Sequence, residues 1–98
     1  MNKERTVLMI CSHPVYWKER KIENNRQVYI EHEAVLELFE DRVQAPDEQF
    51  TMDQIHDVSY RGLSETYGFF YLHTIKGVRT FIVKETPLHW IEAFRTCR

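Results

Sequence analysis

From Thr6 to Ser12 the chain reads Thr-Val-Leu-Met-Ile-Cys-Ser, an apolar run bounded by charges on one side and by His13-Pro14 on the other. Its length and β-branched residues predict a buried strand, which Pro14 interrupts or confines to an edge. Residues 15–22 continue as a second strand, and Glu23-Asn24-Asn25-Arg26 reads as the turn that closes it. Residues 27–31 and 35–40 then read as two strands joined by a tight turn at His32-Glu33-Ala34. In the second of these, Leu36 and Leu38 face a core while Glu37 faces water, the period of two of a half-solvated sheet. A helix over residues 31–39 is the competing reading, because Glu, Ala and Leu are good helix formers.

Residues 42–49, which contain Pro46 and several acidic or amide side chains, read as a loop, and an apolar pattern resumes over residues 50–60. Gly62 and Ser64-Glu65-Thr66 mark a turn. Residues 68–74 and 78–84, separated by Ile75-Lys76-Gly77, carry the strongest hairpin signal in the chain. The last segment changes period. Thr86 suits an N-cap, Pro87 the first helical position, and Leu88, Trp90, Ile91 and Phe94 form one apolar stripe at helical spacing. Arg95 and Arg98 stand near the C-terminal end, where positive charge opposes the helix dipole.

Ninety-eight residues, 43% hydrophobic and 29% charged, fit a single domain over residues 1–98. The apolar run near the N-terminus is too short for a signal-peptide core or a membrane span, so a cytoplasmic location is expected. Cys11 and Cys97 make no disulfide framework and are expected as ordinary reduced thiols. The net charge of −2 argues against a nucleic-acid partner. Its distribution is uneven: residues 1–26 carry +3, residues 27–57 carry −8, and residues 58–98 carry +3.

The order of short strands followed by one amphipathic C-terminal helix resembles the pleckstrin-homology-like superfamily, in particular its bacterial domains. The residues that carry the resemblance are Phe50-x-Met52-x-x-Ile55-x-x-Val58, Gly68-Phe-Phe-Tyr-Leu72, Gly77-x-x-x-Phe81-x-Val83, and the Pro-led helix with Trp90. Together they cover roughly residues 27–98. The resemblance implies a mainly β fold: a strongly bent antiparallel sheet or partly open barrel of about six or seven strands, capped by one C-terminal helix. Trp90 and Phe94 match the aromatic plug of such a helix by position. The family's lipid-binding members use basic residues near the first hairpin. Here Lys18, Arg20 and Lys21 are the nearest counterparts, but Glu19 and Glu23 interleave them, whereas a multiply charged head group needs converging cations.

Candidate chemistry is sparse. His32-Glu33-x-x-Leu36 lacks the second histidine of a zincin helix, and Cys11-x-His13 has no partner pair at finger spacing. No metal, cofactor or catalytic residue is expected, and the chain is read as a non-enzyme. The aromatics are more numerous than one face of a small sheet can bury. Phe69 and Tyr71 alternate with Phe70 and Leu72, so one pair must face away from the core. Outward aromatics mark contact surfaces. The leading expectation is therefore a non-catalytic interaction module that binds a protein segment or itself through a strand edge or an aromatic surface, with Tyr16, Trp17, Phe69 and Tyr71 as interface residues. The alternative is a small-ligand or lipid head-group binder using Lys18, Arg20, Lys21, Lys76 and Arg79, which would bring peripheral membrane contact. A third reading, from cysteine or metal chemistry, rests on Cys11, His13 and His73.

Overall fold

The computed structural model describes residues 7–97. Strands β1 (Met9–Glu23), β2 (Arg26–Phe39), β3 (Arg42–Gln44), β4 (Gln49–Thr51), β5 (Ile55–Gly62), β6 (Gly68–Thr74) and β7 (Gly77–Val83) precede one α-helix, α1 (Leu88–Cys97), and a 3-10 turn over Met52–Gln54 links β4 to β5. All pairings are antiparallel, in the order β4-β3-β2-β1-β7-β6-β5, and the sheet does not close on itself. It curls so that inner residues from both halves share one core: Leu36, Leu38 and Val43 from one side, Ile55, Val58, Phe70 and Leu72 from the other. The mainly β architecture with a single C-terminal helix is the expected one.

Helix α1 lies over this core because three of its side chains are apolar on one face. Trp90, Ile91 and Phe94 are buried. The Trp90 ring stands edge-on to Phe70 at 5.2 Å and stacks on Phe94 at 5.9 Å. Its Nε1–H donates to the Leu36 carbonyl at 3.0 Å, so the indole brings its polar atom into the interior with a partner already in place. The helix starts one residue later than its sequence suggests. The first backbone bond runs from the Ile91 N–H to the Pro87 carbonyl, and Leu88, expected in the stripe, is 56% exposed.

Other departures have physical causes. No turn interrupts His32-Glu33-Ala34, because β2 is one strand in continuous register with β1, from Gln27 opposite Ile22 to Leu38 opposite Cys11. The helical preference of Glu and Ala yields to this ladder, and with it the competing helix over residues 31–39 falls. Pro14 does not break β1 either. It lies opposite Val35, at a position where β7 has not yet joined, and so occupies an edge. The first apolar run is not a buried strand: Leu8, Met9 and Ile10 are exposed, since β2 ends at Phe39 opposite Met9, and Thr6 lies outside the described residues. The expected loop over residues 42–49 holds β3 and the start of β4, closed by a bond from the Ala45 N–H to the Glu48 carbonyl at 2.7 Å.

The result is an elongated molecule of 58 × 35 × 23 Å with a radius of gyration of 15.8 Å. A compact chain of this length would have about 13 Å. The excess comes from the β1–β2 hairpin. β7 meets β1 at Tyr16 opposite Ile82, and β3 meets β2 at Glu37 and Leu38. Between those contacts and the turn, residues 17–23 and 26–32 pair only with each other among the described residues, and form a two-stranded arm about 23 Å long.

Candidate functional site

Strand parity sorts the arm and its base into two faces. Val15 is buried on the inner face, so Trp17, Glu19 and Lys21 follow it there, opposite Ala34, His32, Ile30 and Val28. Tyr16, Lys18, Arg20 and Ile22 take the outer face, opposite Glu33, Glu31, Tyr29 and Gln27. On β6 the buried residues are Gly68, Phe70, Leu72 and Thr74, which leaves Phe69, Tyr71 and His73 on the outer face.

Three of the four expected interface residues therefore share one surface. Tyr16 lies beside Ile82, Ile82 lies opposite Phe69, and Phe69 packs edge-on against Tyr71 at 6.2 Å. Trp17 does not join them. It faces inward and stacks on His32 at 5.2 Å, while His32 Nε2 reaches the Glu19 carboxylate at 3.2 Å.

The expected cations fall into two groups on different elements. Lys76 and Arg79 belong to the β6–β7 hairpin and are held by the β3–β4 turn: Lys76 reaches Glu48 at 3.3 Å, and Arg79 binds both Glu48 and Asp47. Lys21 lies 3.6 Å from Glu19, while Lys18 and Arg20 stand on the opposite face of the arm. Three of the five thus already have carboxylate partners, and the set does not line one concave site.

The residues of the third reading are likewise apart. Cys11 and His13 lie half-buried on β1, and His13 Nδ1 is 2.9 Å from the Pro14 carbonyl. His73, on the outer face of β6, bonds Ser59 Oγ at 2.8 Å. Burial pushes the Cys11 thiol up, and the nearby Cys97 adds to the effect, the reverse of what an activated nucleophile requires. Among the described residues no group of three His, Cys, Asp or Glu side chains could hold a metal ion.

The feature with the most binding geometry lies where β1 and β7 part beyond the Tyr16–Ile82 pair. Two cavities flank this fork; both touch Tyr16, Trp17 and Ile82, and the first extends toward the inner face and the second toward the outer. The first, about 400 Å³, is lined on the inner side by Val15, Trp17 and Phe81, with Pro46 and Asp47 as its floor. The second, about 640 Å³, has Tyr16, Lys18, Ile82 and Lys84 as its outer-face wall and Thr66 and Tyr67 opposite. Lys84 pairs with Glu31 and stands 4.2 Å over the Tyr16 ring, so its ammonium is held up by these partners and Glu31 is pulled below the usual carboxylate range. Tyr16 is raised, first by its hydrogen bond to Glu33 and then by burial.

Sequence reasoning named Tyr16 and Trp17 but missed Ile82, Lys84, Glu31 and Tyr67. Burial alternates over residues 27–39 of β2 without a break, but the residue types there do not, so nothing in the local sequence showed an arm longer than the sheet that supports it. No helix among the described residues is long and apolar enough to cross a membrane. No protein-family model, curated protein or solved structure matches this chain.

Proposed function

We propose that this protein is a non-catalytic interaction module that captures an extended protein segment by strand addition at the β1–β7 fork. The observation that carries the reading is the pairing of a free strand edge with a cavity toward each face. An added strand takes its affinity from main-chain hydrogen bonds and its specificity from side chains that point alternately to the two faces. Here the inward residue would enter the apolar cavity of Val15, Trp17 and Phe81, and the next would meet the Tyr16, Lys18 and Lys84 wall. The volumes lie in the range that receives ligand groups. The segment this suits has an apolar residue beside a polar or aromatic one, with a carboxylate further along to meet Arg20.

The strand order and the aromatic lid support the pleckstrin-homology-like resemblance, and a cytoplasmic setting belongs to the same proposal. The head-group reading is weaker, because Lys21, Lys76 and Arg79 face carboxylates of their own chain.

A random heptapeptide library selected on the intact protein tests this reading. Enriched peptides are expected to alternate in the pattern above, to lose binding when alternate amides are N-methylated, and to fail on Trp17→Glu and Ile82→Glu variants that keep the wild-type circular dichroism. No enrichment over scrambled peptides, or binding indifferent to both variants, would sink it.

A further inference from the structure

The other side of the arm carries a second, separate edge. Between Arg26 and Leu36, β2 has β1 on one side only, and β3 takes up the other side at Glu37 and Leu38. An open edge is a template for another strand, and proteins blunt such edges with charge, proline or a bulge. The two edges of this arm differ in that respect. The β1 edge carries Lys18, Glu19, Arg20 and Lys21 in succession. The β2 edge carries Gln27-Val28-Tyr29-Ile30, without charge or proline, and the ladder shows its one irregularity far away, between Met9 and Cys11.

The polar side chains that follow on β2 have partners within the chain. Glu31 is taken by Lys84, Glu33 by the Tyr16 hydroxyl, and His32 by Glu19. Tyr29 is 62% exposed, and Val28 and Ile30 are the apolar residues of the arm's inner face beyond Trp17, opposite Lys21 and Glu19. A two-stranded ribbon with no further layer is marginal in water, so this arm gains from a third strand.

We infer that the β2 edge pairs antiparallel with the β2 edge of a second copy of this chain, about a two-fold axis through Tyr29. A two-fold axis normal to the sheet keeps each face on its own side, so the register must centre on a residue. Centring on Tyr29 sets Val28 opposite Ile30 of the other copy twice over and Gln27 opposite Glu31. Centring on Glu31 opposes two carboxylates, and centring on His32 opposes Glu31 to Glu33 twice. Centres at Val28 or Ile30 place apolar residues opposite charged ones. In the Tyr29 register Asn24 meets Ala34 of the other copy, so the pairing stops before Glu37, where β3 occupies the edge. The new assembly ends on the β1 edges, whose Lys18, Arg20 and Lys21 repel the same edge of another copy, so the dimer does not extend. A segment that brings a carboxylate can still add at the fork. This is an isologous, closed dimer.

The test uses the full chain. Sedimentation velocity between about 1 and 200 μM is expected to show a monomer–dimer equilibrium, as a narrow edge contact implies, and Tyr29→Lys is expected to weaken it at least about ten-fold without changing the circular dichroism. In a Cys11→Ser, Cys97→Ser background, Tyr29→Cys is expected to form an intermolecular disulfide on mild oxidation by diamide, since paired strands place opposite Cα atoms within disulfide reach. Gln27→Cys or Glu31→Cys alone is not. A wild-type monomer at 200 μM, or a dimer indifferent to Tyr29→Lys with no such cross-link, would overturn the inference. The Trp17→Glu fork variant is expected to dimerise normally, so peptide capture and self-pairing fail independently.

Discussion

The indole of Trp90 does two jobs at one position: it fills the space against Phe70 and Phe94, and it satisfies the buried Leu36 carbonyl. Trp90→Phe keeps most of the first and loses the second, and an orphaned buried acceptor costs about 1–3 kcal/mol. Trp90→Ala loses both and should cost about 3–5 kcal/mol. Urea denaturation followed by far-ultraviolet circular dichroism measures the difference. Gly68 is the other sensitive position. A Cβ there would lie 2.7 Å from the Arg61 carbonyl oxygen and equally close to the Tyr60 ring. Gly68→Ala is therefore expected to lower the melting temperature, with a cost of about 1–3 kcal/mol from overpacking against backbone. The tryptophan's role was legible in the sequence, since its spacing with Ile91 and Phe94 implies one face. The glycine's was not, because the demand comes from the Tyr60 ring and Arg61 carbonyl on the neighbouring strand β5, a contact set by pairing and not by local pattern. Among thiols, Cys97 is exposed while Cys11 is half-buried and raised, so labelling with a disulfide reagent near neutral pH should be biphasic, with Cys97 fast and its phase lost in Cys97→Ser.

At the scale of elements, the arm depends on its turn. Asn24 and Asn25 both have positive φ, 50° and 63°, which a type I′ hairpin turn requires and which asparagine tolerates better than most residues. Replacing both by Ala imposes a left-handed penalty of about 1–2 kcal/mol each. The arm should then fray while the core keeps its melting temperature, and amide exchange of residues 18–30 is the measurement that separates the two. Asn25→Gly should leave protection unchanged or raise it. The turn itself was readable from the paired asparagines. What hid the arm was composition: Glu31, Glu33, Ala34 and Leu36 speak for a helix locally, and only a partner strand of matching length overrides that preference. β3 and β4 were hidden for a different reason, since three residues each leave too short a pattern to show a period.

Over the whole molecule, the charge blocks of the sequence are reunited by folding. The acidic middle segment meets the basic third: Glu31 with Lys84, Asp47 and Glu48 with Arg79, Glu48 with Lys76, Asp57 with Arg95. Linkage then sets the pH response. Glu31 and Glu19 lie below their usual range, each chiefly through a hydrogen bond from a cation or histidine, so their contribution is present above the ordinary carboxylate range and is lost as pH falls through the depressed values. Lys84 and Tyr16 are raised, so theirs is present at neutral pH and lost as pH rises through the elevated values. Urea midpoints should therefore be flat through neutrality and fall on both sides, and Lys84→Met should remove part of both slopes. Charge blocks in the sequence gave no hint of these pairings, because partners 28 to 53 residues apart are brought together by topology.

The placement of the two tryptophans has a practical consequence. Trp90 sits sealed beneath the lid, while Trp17 stands 42% exposed at the mouth of the fork. The chain thus carries two intrinsic optical probes that report on different events. Emission from a Trp17→Phe variant follows opening of the interior, and emission from a Trp90→Phe variant follows arrivals at the strand edge, so folding and recognition can be watched separately without any attached dye.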